Sequence, residues 1–208
     1  MTGWLDRRLF RQPFTGASAR RYARLERPGF GDLDRRLVTR WAAELDRARV
    51  VLDLGAGPGT LAAHLRAARP GLLVVEIEPS PDFAATPARV RARGEALPLA
   101  DGSVDVAICL SSIRHVGDRG ATLAELRRVV RAGGRAHVLE LDPAASPARI
   151  AAHARGVRSR VLGAAFGPLV VATAPPAAAI AALARAAGWT TIAQEDDPVQ
   201  PIYELVLA

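Results

Sequence analysis

Apolar positions in this chain recur with two periods, and the alternation between them outlines a fold. In "GDLDRRLVTRWAAELDRA" (31–48), Leu33, Leu37, Trp41 and Leu45 fall four apart with Val38 beside them, which predicts one amphipathic helix. Short, mostly apolar runs follow: "RVVLDL" (49–54), "LLVVEI" (72–77), "VDVAICL" (104–110) and "RAHVLEL" (135–141). Runs of that length without alternation read as strands buried on both faces. Between them, "GTLAAHLRAAR" (59–69), stopped by Pro70–Gly71, and "RGATLAELRRVVRAGG" (119–134), closed by two glycines, read as helices. A further helix is predicted from Pro175 to Ala187, with Thr173 as its cap and Gly188 just past its end. Two closing strands, "WTTIAQE" (189–195) and "PIYELVL" (201–207), are separated only by Asp196 to Gln200. That gap is too short for a crossover helix, so the pair must be an antiparallel hairpin. The whole pattern predicts an α/β fold: a doubly wound, mostly parallel sheet with helices on both faces and a C-terminal antiparallel hairpin.

The length of 208 residues, half of them hydrophobic, suits one domain. Residues 1–48 read as a helical lead-in or cap, 49–142 as the core, 143–175 as a segment over the site, and 176–208 as the closing helix and hairpin. The first 30 residues, with Pro13, Gly16, Pro28 and Gly29, read as loosely structured. Between the second and third strands only "PSPDFAATPARVRAR" (79–93) is available, interrupted by Pro87, so a helix there is limited to one or two turns. From Val161 to Ala184 no side chain is charged, but Gly163, Gly167, Pro168 and the pair Pro175–Pro176 favour a buried loop and helix over a membrane span.

Charge and cysteine content narrow the setting. The lone cysteine, Cys109, excludes a disulfide framework and a cysteine-based metal site. It fits a reducing compartment, and "MTGWLDRRLFRQPF" has charges where a signal peptide needs an apolar core, so a cytoplasmic protein is expected. The net charge of +7 first suggests nucleic acid. However, all 28 basic residues are arginine, and the chain lacks both lysine and asparagine, whose codons are AT-rich; GC-rich coding accounts for this. The arginines crowded into the first 40 residues read as a solvated helix surface.

Candidate chemistry centres on "VLDLGAGPGT" (51–60), where Gly55, Gly57 and Gly59 follow a strand carrying Asp53. In a doubly wound sheet, ligands sit beyond the carboxyl ends of the strands, and a bare backbone there admits close approach. The dinucleotide fingerprint G-x-G-x-x-G fails here, because its third glycine would fall at Thr60. What fits is acid-x-Gly-x-Gly-x-Gly, followed by "VVEIEPSP" ending the second strand, "GEALPLADGSVDVAICLSS" (94–112) and "LAELRRVVRAGGRAHVLELDP" (123–143). Over residues 49–143 this resembles the class I S-adenosylmethionine-dependent methyltransferases, in particular the small-molecule, ubiquinone-biosynthesis-type branch.

The resemblance implies S-adenosylmethionine as cofactor. It places the methionine part against Asp53, Gly55, Ala56, Gly57 and Gly59, and the ribose on Glu78, with Glu76 two residues earlier sharing or replacing that role. It also places the adenine near Glu95 and Ala96, although members often carry an Asp-Ala pair where this chain reads Arg93–Gly94. Leu110 and Ser111 would close the pocket after the fourth strand. In "SSIRHV" (111–116), His115 is the candidate general base, and Arg114 either grips an acidic acceptor or faces water. The chain lacks the Asp-Asn pair of metal-dependent members and the Pro-Pro-aromatic motif of base-methylating ones. The expectation is therefore metal-independent transfer to a small molecule by a monomer or homodimer, with specificity set by residues 1–30 and 143–175. An RNA methyltransferase and a cofactor-binding accessory protein remain open alternatives.

Overall fold

The structure is a computed structural model, and it describes residues 14–24, 30–83, 86, 88–156 and 166–208. Seven strands form one sheet: β1 (Val50–Leu54), β2 (Leu73–Ile77), β3 (Arg89–Val90), β4 (Val104–Leu110), β5 (Val130–Leu141), β6 (Ile192–Asp196) and β7 (Ile202–Leu207). Their order is β3-β2-β1-β4-β5-β7-β6. The first five are parallel, and β7 is inserted antiparallel between β5 and β6, giving the expected closing hairpin.

Around the sheet lie α1 (Gly16–Arg24), α2 (Leu33–Arg40), α3 (Ala42–Leu45), α4 (Thr60–Ala68), α5 (Arg119–Val129), α6 (Pro147–Gly156) and α7 (Ala177–Ala186). A 3₁₀ turn (Ile113–His115) and a π-helical turn (Phe166–Val171) complete the described elements. Alternation along the central strands fills a core on each face. Ala107 and Cys109 of β4 pack with Leu123, Leu126 and Ile180 of α5 and α7. Val106 and Ile108 pack on the other side with Leu33, Leu37, Leu61 and Leu65 of α2 and α4. Both faces are covered, so the central strands are mostly apolar on both sides instead of alternating. Among the described residues, no helix is long and apolar enough to cross a membrane.

Several boundaries differ from the sequence pattern, each for a local reason. The helix expected over 31–48 breaks at Trp41, whose backbone leaves the helical region (φ −87°, ψ 10°), but Leu33, Leu37, Trp41 and Leu45 still bury one face. The helix expected to reach residue 134 ends at Val129, and β5 begins at once with Val130 beside Val104. The register then slips, so that Arg135 pairs with Val106, and the glycines lie inside the irregularity. A Cβ on Gly134 would come within 2.6 Å of the Asp105 carbonyl oxygen, so this is a bulge glycine and not a helix stop. Thr173 does not cap α7. β6 starts at Ile192, leaving Trp189 to bury its ring and donate its indole N–H to the Leu123 carbonyl at 3.1 Å. The described part of 79–93 contains no helix.

The N-terminal arginines are less solvated than expected. Arg36 pairs with Asp197 at 2.7 Å and Arg40 with Glu204 at 2.8 Å, tying α2 to the closing hairpin. Glu204 also accepts from the indole N–H of Trp41 at 2.9 Å and meets His137 Nδ1 at 2.6 Å, while His137 Nε2 meets Glu44 at 3.0 Å. Burial alone would lower the His137 pKa, but the two carboxylates outweigh it and raise it. Burial likewise opposes ionisation of Glu44 and Glu204, and the imidazolium holds both below their ordinary value.

A raised imidazolium stabilises the fold fully below its ordinary pKa of 6.5, and that contribution is lost as pH climbs through the folded value. The depressed carboxylates contribute above 4.5 and lose their contribution as pH falls through their folded values. His137→Ala is therefore expected to destabilise by about 3–5 kcal/mol near pH 6, where the network is fully charged. Urea unfolding of wild type and variant should show the gap narrowing towards pH 9.

Candidate functional site

The sheet order places β1 and β4 side by side, with the chain turning away in opposite directions on either side of them. Their carboxyl ends mark the topological switch point, where the loops diverge and leave space. The space is a cavity of about 340 Å³, within the range of small-ligand sites. Its walls include Asp53, Gly55, Ala56, Gly57, Glu78, Glu95, Leu110, Ser111 and His115, so nine of the twelve residues singled out from the sequence meet there.

The three glycines do different work. Gly55 is left-handed (φ +72°), and a Cβ on it would lie 2.4 Å from Cβ of Ser112. Ser112 in turn donates its hydroxyl to the Leu54 carbonyl at 2.7 Å, which locks the loop after β4 against the end of β1. Gly57 is also left-handed (φ +54°), but a Cβ there would meet only the Gly55 carbonyl at 4.0 Å. The space beside Gly57 is the cavity itself. Gly59 precedes α4 and lies off the cavity wall; its Cβ would press on Glu76 and Arg89 at about 3 Å. The third glycine thus serves the packing of an ion pair.

That ion pair separates the two strand-end acids. Glu76 is fully buried between Arg66 (2.7 Å) and Arg89 (2.5 Å) and accepts from the Thr86 hydroxyl at 2.9 Å. Burial opposes its ionisation, but these donors hold its pKa below the ordinary value, and it is not on the cavity wall. Glu78 does reach the cavity. Its two oxygens accept from the backbone N–H of Gly57 and of Ser80, each at 2.8 Å. Burial raises its pKa, with the two backbone donors opposing. Each oxygen keeps a lone pair beyond those bonds, so the carboxylate can still accept from a vicinal diol.

Glu95 is held by the backbone N–H of Asp118 at 2.9 Å, and Gly94 and Arg93 line the cavity beside it. Ala96 is exposed and off the wall; its amide turns back to the Arg93 carbonyl at 3.2 Å, so the tight turn carries it away. Ser111 is the one left-handed residue other than glycine among the described residues (φ +52°), and its N–H donates to the Leu139 carbonyl at 2.7 Å. Strain of this kind at a cavity wall persists where the surroundings fix a functional geometry. Cys109 is fully buried, its thiol pKa pushed up to about 12 by burial, which leaves it inert as a nucleophile.

Of the two roles expected for Arg114, facing water is excluded: it is buried and lines the cavity, and its guanidinium donates to the Val170 carbonyl (2.9 Å) and the Thr173 hydroxyl (3.0 Å). It fastens the π-helical turn over the cavity, where Val170 forms part of the wall. Arg158 and Arg160, two arginines of the 143–175 segment that could serve an acidic acceptor, lie outside the described residues. Among the described residues, no group of three His, Cys, Asp or Glu side chains is arranged to hold a metal ion.

Sequence reading missed the aromatic side of the cavity. Phe14, Tyr22, Phe30 and Phe83 all line it, and Phe14 stacks on Tyr22 with centroids 5.3 Å apart. A signal existed: aromatic residues are only 5% of the chain, yet Trp4, Phe10, Phe14, Tyr22 and Phe30 cluster in the first 30 residues.

Comparison with known proteins bears on the family and the fold. Residues 52–138 match a family described as a methyltransferase domain. An uncharacterised methyltransferase of Mycobacterium ulcerans is 43% identical over 93 residues, covering 41% of this chain and 36% of that protein. The chain thus spans little more than a third of that relative's length. A methyltransferase from Aquifex aeolicus, dependent on S-adenosylmethionine, superposes with a TM-score of 0.61 at 14% identity, covering 92% of this chain and 98% of that one. Human N-acetylserotonin methyltransferase, in complex with S-adenosylmethionine, gives 0.63 at 15% identity, covering 91% of this chain and 55% of that one. At these identities the structures establish the fold.

The division of labour among the glycines is measurable in thermal or urea unfolding. Gly57→Ala is expected to lose only about 1–2 kcal/mol, from the left-handed backbone. Gly55→Ala should lose at least about 2 kcal/mol more, because its Cβ cannot fit beside Ser112 without moving a strand end.

Proposed function

We propose that residues 52–138 are the core of a class I S-adenosylmethionine-dependent methyltransferase of the type 11 branch, and that this chain methylates a small-molecule acceptor without a metal ion. The observation that carries the reading is the opening of the Gly57 backbone onto the same cavity that Asp53, Glu78, Glu95 and His115 line. The donor set suits the cofactor: a carboxylate with spare lone pairs for a diol, a bare backbone for close approach, and a second carboxylate at the β1 end for an ammonium group. When bound, S-adenosylmethionine supplies a methyl group activated by its sulfonium.

In this reading Glu78 accepts from the ribose hydroxyls, and Gly57 and Ser80 hold its carboxylate in place. Asp53 faces the amino group, and Glu95 with Gly94 borders the base. Leu110 and Ser111 hold the site closed on the β4 side. His115 receives the acceptor's proton where the acceptor must lose one, since a neutral imidazole nitrogen can accept it. Much of the rate comes from holding the reacting groups in line. The buried thiol of Cys109 suits a reducing setting, and the cytoplasm is the proposed location.

Calorimetric titration with S-adenosylmethionine, S-adenosylhomocysteine and NAD tests the reading. Binding of the first two in the micromolar range is expected, with NAD much weaker. Glu78→Gln should weaken binding by about 1–3 kcal/mol and cost a similar amount of stability, because an amide cannot accept from both Gly57 and Ser80. Glu76→Gln should leave binding nearly unchanged and destabilise by about 3–5 kcal/mol, because two arginines lose a buried partner. Wild-type affinity should also fall as acid titrates Glu78 through its raised pKa, since its neutral carboxyl is the poorer acceptor. A folded protein that binds NAD and neither sulfur compound would remove the proposal.

A further inference from the structure

The cavity wall divides according to where its residues lie in the chain. Inside the segment 52–138, the charged and titratable lining residues are Asp53, Glu78, Arg93, Glu95, Arg114 and His115. Outside that segment, the described lining residues are Phe14, Tyr22, Phe30, Leu141 and Val170, and none of them carries a charge. The cofactor reading uses the three carboxylates of the first set, Asp53, Glu78 and Glu95. The second set is left for the acceptor, and it is flat and apolar.

This wall is built into the fold. Helix α1 is tied down over the loop after β2: Asp82 accepts from the Gly16 N–H at 2.5 Å and from the Arg20 guanidinium at 2.8 Å. Phe14 then stacks on Tyr22 (5.3 Å between centroids, 27° between planes), and Tyr22 meets the edge of Phe83 at 6.5 Å. On its other side Phe14 makes an edge contact with His115 at 5.1 Å and 66°. The aromatic wall therefore ends on the imidazole.

The arrangement discriminates between charge classes. An anion needs a cation to offset its desolvation, and among the described residues the buried guanidinium on this side, Arg114, already donates to Val170 and Thr173. Arg93 comes in beside Glu95, on the cofactor half. A cation would need ring faces converging on one point, but Phe14 and Tyr22 turn their faces to each other. An uncharged ring, by contrast, adds to an existing stack and buries its own apolar surface.

Resting on the methyltransferase reading, we infer that the acceptor is an uncharged, planar aromatic molecule. It seats against Phe14 and Tyr22, with its reacting group at the His115 edge.

Three probes with one ring and different charge test this at neutral pH: naphthol, naphthoate and naphthylmethylamine. Each is titrated by calorimetry into the protein, free and saturated with S-adenosylhomocysteine. Naphthol is expected to bind at least about tenfold more tightly than either charged probe, because Phe14, Tyr22, Phe30, Leu141 and Val170, the described residues of this wall, carry no charge. Phe14→Ala should weaken naphthol by about tenfold, and Phe14→Tyr should keep most of the affinity. Phe14 is 36% exposed, so neither change endangers the fold. Equal or tighter binding of naphthoate or of the amine would overturn the inference. So would the absence of any probe binding while S-adenosylhomocysteine binds, which would leave the methyltransferase reading standing. If S-adenosylhomocysteine fails to bind and the naphthol ranking holds, the aromatic site is supported and the cofactor reading is the one that falls.

Discussion

The close approach of two strand ends is the constraint from which the site follows. Where β1 ends and the loop after β4 begins, the backbones are so near that no side chain fits at Gly55. The Ser112 hydroxyl, bonded to the Leu54 carbonyl, closes the contact. Because these neighbouring parallel strands are pinned together, the loops beyond them must part, and the parting is the cavity. Asp53 and Leu110, one at the end of each strand, come to the same space for that reason. The left-handed Ser111 shows how sharply the chain must turn to leave β4 at that point.

The fate of the two acids after β2 shows how burial and pairing sort identical side chains. Glu76 lies within the strand and is neutralised by Arg66 and Arg89; it serves as a structural anchor that also needs Gly59 to be bare. Glu78 lies just past the strand and is held by backbone donors alone, so it keeps acceptor capacity. Opposite pKa shifts mark the same division: guanidinium partners outweigh burial at Glu76, and burial prevails at Glu78. Arginine plays a comparable internal role elsewhere. Arg36, Arg40 and Arg114 each fasten one segment to another, so part of the basic excess is structural and not a surface for polyanions.

Much of the fold was legible because its strands are buried on both faces and its helices on one, and these patterns are hard to mistake. The hairpin followed from the shortness of the 196–200 link. The Val129–Val130 boundary was not legible: Gly133 and Gly134 look like a helix stop, and only the pairing of Val130 with Val104 reveals a strand with a bulge. At the site, the glycine turn and its acids were visible as a motif. The choice between Glu76 and Glu78 was not, since it depends on Arg66 and Arg89 arriving from other elements. The aromatic wall was hidden for a similar reason. Phe14 and Tyr22 show no strand or helix periodicity that would mark them as facing a cavity, and their place depends on Asp82 holding α1.

Amide hydrogen exchange with and without S-adenosylhomocysteine is the most direct measurement of whether this cavity is the cofactor site. Slower exchange is expected across 53–60, 76–80 and 110–117, the three strand-end segments that meet there, with the β6–β7 hairpin unchanged. Unchanged exchange at all three, or protection confined to another part of the sheet, would contradict the assignment.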